Sequence, residues 1–482
     1  MDHFGTMMSQ IELDETAVEN FREYLRIPSV QPDINYDECV EFITRQAQSL
    51  DLPVKIYHVH PKKPIVVLTW MGTDPTKQSI LLNSHMDVVP VFEDKWTYPP
   101  FSAHMDEQGD IYARGSQDMK CVAIQYLEAI RRLKLNGQRF QRTIHISFVP
   151  DEEIGGVLGM KAFVHTADFK ALNVGFALDE GVAGPFENFY MFYGERSIWH
   201  VEIKCAGTPG HGSIMLDNTA GEKLRVIIDR FTDFRASEKA KLSTDPRKLA
   251  ITLGGVTSVN LTKVWGGVQT NVIPTELSAM FDIRITPSVD HDEFEATIKR
   301  WCEEAGSDVT YSFKEKNPKI KNTKLDESNP YWIAFKNTCD EIGINLETAI
   351  FPGGSDGRFV NRGRDRVILC LLDSSAGSLV FVSHVHCGAS FKTSSHPRGS
   401  RPIRDQAPES RDRGWPIDAA GFEIFWSLFM GQLVSTNVAS VPSRGTRVGV
   451  RFIHGRCAEN FRLQLAAVNI CVKVLPDADK IV

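Results

Sequence analysis

The sequence predicts an α/β protein, with a mostly parallel sheet flanked by helices and a smaller inserted α+β domain made of an antiparallel sheet plus two helices. Three observations predict it. In the first part of the chain, short apolar runs bounded by Gly, Pro and Asn alternate with helical periodicity, which suits buried parallel strands and their crossover helices. Between about Arg196 and Phe313 the runs alternate apolar with polar, the pattern of strands with one wet face. The 482 residues suffice for two or three separate cores.

Residues 12–50 read as two amphipathic helices separated by a turn carrying Pro28 and Pro32. Pro64 to Trp70 and Ser79 to Leu82 are buried strands in this reading. A helix follows Asp118, with Val122, Tyr126, Ala129 and Leu133 on its apolar stripe. Thr143 to Val149 and Val174 to Leu178 complete the strand–helix–strand pattern. In the inserted domain the alternating strands are Trp199 to Ile203, Thr257 to Leu261 and Leu277 to Ile285. Its helices are Thr219 to Phe234 and Asp292 to Glu304. The helical pattern Tyr331 to Ile342 returns to the first domain. The resulting division is 1–194 and 313–364 for the larger domain, 195–312 for the insertion, and 365–482 for an atypical tail.

That tail holds 11 Arg and 3 Lys against 10 Asp and Glu, a net of +4, which leaves −11 for residues 1–364. Its Ser/Arg/Pro/Gly-rich stretches predict partial disorder, chiefly over residues 383–415. The whole chain carries a net charge of −7 and no basic stripe, which argues against nucleic-acid or anionic-membrane partners. No run approaches the roughly 18 apolar residues of a spanning helix, and the N-terminus lacks the pattern of a secretory signal. Nine dispersed cysteines without a CxxC pair read as reduced thiols in a cytoplasmic protein and exclude a thiolate zinc site.

Four segments carry chemistry. Leu81 to Pro90 is an apolar strand ending in His85 with Asp87 two residues on, where open α/β sheets collect ligands. Alone it is equally a turn histidine beside a turn aspartate. Asp118, at the start of a helix, suits an N-cap or a carboxylate bridging two cations. Asp151-Glu152-Glu153 follows a buried strand, either as a solvated turn or as metal-held acids, because buried charge is costly unless paired. Asp179-Glu180-Gly181 repeats the pattern. Together, four strand or loop ends deliver His, Asp or Glu, a donor set for zinc, manganese or cobalt. The surplus of carboxylates over the needs of one cation predicts two metals.

In combination, SHMDVVPVF, ARGSQDMKCVAIQYLEA, FVPDEEIGG and FALDEG resemble the dinuclear-zinc aminoacylase and carboxypeptidase family across roughly residues 10–362. The resemblance implies two zinc ions per subunit, with His85 and Glu180 on one, Glu153 on the other and Asp118 bridging. It implies Glu152 as general base and Asp87 as the orienter of His85, while Asp179 competes with Glu180 for the ligand role. Gly207 to Ser213 resembles the family's PGH segment, which implies a homodimer in which His211 reaches the partner's site to polarise the scissile carbonyl. Asn271, Arg284, the Gly353-Gly354 loop and Arg358 look like substrate contacts. A planar guanidinium such as that of Arg284 can grip a carboxylate bidentately, although a surface salt bridge is the plainer use.

The implied activity is hydrolysis of a small N-acyl-L-amino acid to a carboxylate and a free amino acid. The alternatives are a dipeptidase or carboxypeptidase of the same family, or a non-catalytic binding variant. The family's closing histidine ligand has no counterpart here. His384, His386 and His396 stand in unlike contexts, with His384-Val385-His386 the best substitute. The abrupt change reads as a shifted reading frame or a spliced tail, and implies an incomplete second zinc site with weak activity.

Overall fold

The computed structural model describes residues 9–107, 109–181, 189–341, 343–361, 367–371 and 450–451. The large sheet contains eight strands: β1 (Val54–His60), β2 (Lys63–Trp70), β3 (Ser79–His85), β4 (Ile144–Val149), β5 (Val174–Asp179), β6 (Phe189–Glu195), β11 (Leu346–Phe351) and β12 (Val367–Leu371). The small sheet contains β7 (Ser197–Ala206), β8 (Ser258–Gly266), β9 (Glu276–Ile285) and β10 (Val309–Lys316).

The large sheet runs β1-β2-β4-β3-β5-β12-β6-β11. β3 is parallel to both β4 and β5, β5 is parallel to β12, and β6 is parallel to β11. The other pairings, β1 with β2, β2 with β4 and β12 with β6, are antiparallel. The sheet is therefore mixed, with four of its seven pairings parallel. At one edge the reason is local: two residues separate β1 from β2, with Lys62 in the left-handed region at φ 61°, and so short a link can only make a hairpin. β12 lies beyond residue 364, so pairing in this sheet continues into the tail composition.

Every residue of β3, β4 and β5 is buried. Helices α1 (Gln10–Leu25), α2 (Asp37–Ser49) and α3 (Lys120–Leu135) contribute Phe21, Phe42, Val122 and Ile130 to the main core, with Leu82, Ile146 and Phe176 of the sheet. Coverage of these strands explains their near-continuous apolar sequence. At about 25 cal/mol per Å², each fully buried Leu, Ile or Phe stabilises the fold by roughly 1.5–3 kcal/mol.

The small sheet is antiparallel throughout, in the order β8-β9-β7-β10. α4 (Ala220–Lys239) and α5 (His291–Ala305) supply Leu224, Ile227, Phe294 and Ile298 to a second core against Trp199, Val201 and Phe281. α4 opens with a capping box, Thr219 with Glu222, which fixes its start. α6 (Pro330–Glu341) returns to the first core through Tyr331, Trp332 and Phe335. No helix among the described residues is long and apolar enough to cross a membrane. His384, His386, His396 and the stretch expected to be disordered lie outside the described residues.

Candidate metal centre

Three neighbouring parallel strands, β4, β3 and β5, end side by side, and their carboxyl ends carry the candidate ligands. His85 is the last residue of β3, Glu152 and Glu153 follow β4, and Glu180 follows β5. Asp118 arrives on the turn before α3. The cap residue of α3 is Met119, and no side chain caps the helix. Asp118 therefore has no capping duty, and its carboxylate instead faces His85.

The distances are short. His85 Nε2 lies 3.1 Å from Asp118 Oδ1 and 3.7 Å from Glu180 Oε2. Two sets of donor atoms, His85 with Asp118 and Glu153, and His85 with Glu152 and Glu180, each fall within 4.8 Å of one another. These five residues, separated by up to 95 positions in the chain, form one cluster.

The Asp87 carboxylate is buried beneath the pocket. His85 Nδ1 makes its hydrogen bond with the backbone carbonyl of Asp87 at 2.9 Å, while the carboxylate stands 3.5 Å away. The carboxylate is used elsewhere: it accepts from the backbone N–H of Glu152 at 3.2 Å, of Glu153 at 3.1 Å, and from Gln31 Nε2 at 2.8 Å. Asp87 thus fixes both the imidazole and the acidic turn.

Asp151 turns the chain, in the left-handed region at φ 65°. Its Oδ1 accepts from Tyr36 Oη at 2.8 Å, Gln31 Nε2 at 3.0 Å and Lys63 Nζ at 2.8 Å. The first acid of the triplet is therefore structural, which leaves Glu152 and Glu153 to face the pocket. Asp179 is likewise held, its Oδ1 taking Asn83 Nδ2 at 3.1 Å and the Glu180 N–H at 3.0 Å. Glu180 is the member of that pair that faces His85.

The electrostatics are those of a cluster short of positive charge. Burial pushes Glu153 and Glu180 well above the usual carboxylate range, reinforced by Asp118 for Glu153 and by Glu152 and Asp118 for Glu180. Burial opposes charge on His85, but Asp118, Asp87 and Glu180 outweigh it and hold its pKa well up. Glu153 Oε1 and Asp179 Oδ2 are buried without a hydrogen-bond partner. Crowded, acceptor-only carboxylates around an imidazole fit hard divalent cations. Among the described residues His85 is the one imidazole in both donor sets. With Nδ1 committed to the Asp87 carbonyl, Nε2 is the ring nitrogen of His85 that remains for a cation.

The loop after β11 borders the pocket. Asp356 lies close enough to Glu152 to raise its pKa, behind the larger effect of burial. Both oxygens of Asp356 are buried and unpartnered. Arg358 is mostly buried, and Gly354 makes room for it, since a Cβ at Gly354 would lie 1.4 Å from Arg358 Nη2. Gly353 beside it is buried. Asp356 escaped sequence reasoning because an acid after Gly-Gly-Ser looks like an ordinary turn residue.

The remaining expected contacts stand apart from the cluster. His211 is exposed, with Nδ1 2.8 Å from Ser213 Oγ, on a two-residue strand paired with Val272–Ile273. Asn271 is exposed beside it, its carbonyl accepting the Gly212 N–H at 2.8 Å. No hydrogen bond or ion pair among the described residues joins His211 or Asn271 to the cluster. Arg284 makes the salt bridge that was its plainer reading. Its Nε and Nη2 are already bonded to the two oxygens of Asp282, at 2.7 and 2.8 Å. Asp282 sits two residues earlier on the same strand face and meets the guanidinium first.

The sequence model of peptidase family M20/M25/M40 matches residues 81–384, more than half of the chain. The chain belongs to this family. Over 349 residues it is 49% identical to aminoacylase-1 of Mus musculus, covering 72% of this chain and 85% of that one. It is 43% identical over 362 residues to aminoacylase-1 of Dictyostelium discoideum, covering 73% and 88%. In fold it is similar to an M20 family metallo-carboxypeptidase from Sulfolobus solfataricus, with a TM-score of 0.58 at 18% identity, over 76% of this chain and 92% of that one. M20 enzymes are dinuclear metal hydrolases, and this chain is a hydrolytic enzyme. The aminoacylase likeness leaves the C-terminal region unmatched.

Proposed function

We propose that the chain hydrolyses N-acyl-L-amino acids, using two zinc ions held by His85, Asp118, Glu153 and Glu180. One observation carries the reading: five ionisable side chains from four segments converge at the carboxyl ends of adjacent parallel strands, with buried carboxylate oxygens still lacking partners. The high identity to aminoacylase-1 supports the choice of substrate. In this reading residues 1–194 and 313–364 form the catalytic domain, and 195–312 form a lid and dimerisation domain of a cytoplasmic homodimer.

Bound divalent cations supply Lewis-acid activation of water and of the amide carbonyl. Glu152, in the pocket but outside the ligand set, takes the proton of the attacking water and returns it to the leaving nitrogen. Asp87 keeps the imidazole and the Glu152–Glu153 turn in register. Arg358 and the Gly353-Gly354 loop hold the substrate's α-carboxylate, which fixes the position of the scissile bond. Arg284 adds its remaining nitrogen, or its full fork once Asp282 releases it. The exposure of His211 and Asn271 suits a role in the site of a second copy, where His211 polarises the carbonyl.

That His85 is the one imidazole in both donor sets among the described residues supports a further point: the second cation is under-coordinated in the 482-residue chain and turnover is weak. Elemental analysis of the purified chain, together with assays of N-acetyl-L-methionine and of dipeptides, tests all of this. Fewer than two tightly held zincs and slow, selective hydrolysis of N-acetyl-L-methionine are expected. Selective dipeptide cleavage overturns the substrate assignment. Two tight zincs with turnover near the enzyme median of about 10 per second overturn the impairment.

A further inference from the structure

Glu195 and Arg196 are consecutive, and each is 1% exposed. They occupy the passage from β6 of the large sheet to β7 of the small one. The two do not pair with each other; both reach the loop of residues 352–358. Glu195 Oε2 accepts the Ser355 N–H at 2.8 Å and the Ser355 hydroxyl at 3.2 Å, while Oε1 lies 3.2 Å from Arg358 Nε. Arg196 donates to the Pro352 carbonyl from Nε at 3.0 Å and from Nη2, and its Nη1 is anchored on Ser258 Oγ at 3.0 Å.

The consequence falls on Arg358. Its Nε hydrogen is directed at the Ser355 carbonyl, 2.8 Å away, so the Glu195 carboxylate meets the guanidinium through charge rather than through that hydrogen. The Nε edge is thereby fixed, and no hydrogen bond among the described residues uses Nη1 or Nη2. Beyond Glu195, the charges of Glu152, Asp356 and Glu315 also raise the Arg358 pKa against burial, so the guanidinium lies within electrostatic reach of Glu152. A guanidinium pinned along one edge presents the outer pair of nitrogens to an incoming carboxylate.

We propose that Glu195 is a positioning residue: it locks the 352–358 loop, and through it orients Arg358 to receive the substrate's α-carboxylate. This rests on the reading of Arg358 as a substrate contact. A glutamine would fit the same space and still accept from Ser355, so the distinctive contribution of Glu195 is its charge. Burial pushes the Glu195 carboxyl up to about 7, with Arg358 and Ser355 pulling it down and Asp179 pushing it up. The lock is therefore fully charged only above neutrality.

The test compares the full chain with Glu195→Gln. Calorimetry measures the affinity for N-acetyl-L-methionine and for its uncharged carboxamide across pH 6–8.5. The variant is expected to bind the acid at least 10-fold more weakly and the carboxamide within 2-fold of the unaltered chain. The unaltered chain is expected to lose affinity for the acid below about pH 7, and the variant is not. Equal loss of both ligands, or no loss of either, overturns the proposal. A second arm needs no substrate: phenylglyoxal labelling, mapped by mass spectrometry, should modify Arg358 at least 5-fold faster in the variant. An unchanged labelling rate overturns the lock, whatever the ligand. Failure of the unaltered chain to bind N-acetyl-L-methionine, with faster labelling in the variant, refutes the substrate reading and upholds the lock.

Discussion

The Asp87 carboxylate accepts the backbone N–H of Glu153 at 3.1 Å, and through its other oxygen that of Glu152 at 3.2 Å. One buried side chain thus ties the strand that ends in His85 to the turn that carries two more acids. Asp87→Ala removes both bonds and leaves the turn's N–H groups without acceptors. Metal affinity is expected to fall 10–100-fold, the usual cost of losing such a support. Asp87→Asn, which keeps one acceptor oxygen, should lose less. Metal retention during dialysis against chelators of graded strength measures both, and unchanged retention in Asp87→Ala would show that the turn holds itself.

Glu152 and Glu153 are adjacent yet are given different work, and substitution separates them. Glu152→Gln keeps the shape and removes the base, so the residual turnover should drop by 10²–10⁴-fold with metal content intact. Glu153→Gln should lose metal as well as turnover. If Glu152→Gln sheds as much metal as Glu153→Gln, then Glu152 belongs to the ligand set.

Much of this site is readable in the chain because its chemistry is local to strand ends. SHMDVV, FVPDEE and FALDEG each carry an apolar strand and its terminal acids within a few residues, so position and residue type could be read together. What escaped was set by partners far away in sequence. The structural role of Asp151 depends on Gln31, Tyr36 and Lys63, about 90–120 positions distant. The antiparallel edge of the large sheet came from β1, whose VKIYHVH pattern is only partly buried and gives a weak apolar signal.

Gly156 is required twice over. It adopts φ +61°, and a Cβ there would lie 2.4 Å from Asp356 Oδ1. Gly156→Ala combines a left-handed backbone cost of about 1–2 kcal/mol with overpacking against a buried carboxylate. A destabilisation of about 2–4 kcal/mol is expected from denaturant unfolding. Asp356→Ala in the same background should recover part of it, because the clash partner is gone. No recovery would place the cost in the backbone alone.

His200 links the stability of the small sheet to pH. Its Nε2 lies 3.1 Å from Asp282 Oδ2 and its Nδ1 3.2 Å from Glu315 Oε2. Hydrogen bonds to Asp282 first and Glu315 second push its pKa up from 6.5 to about 9. Between those values the folded chain holds a proton that the unfolded chain has released, so stability falls as pH rises through this window. The contribution is complete below about pH 6.5 and gone above about 9. The imidazole is 35% exposed, and solvent screening reduces the pair to about 1 kcal/mol. His200→Gln should therefore be less stable than the unaltered chain at pH 6 in urea unfolding and nearly equal to it at pH 9.5. A stability gap that stays constant from pH 6 to 9.5 would mean that His200 contributes through packing rather than through charge.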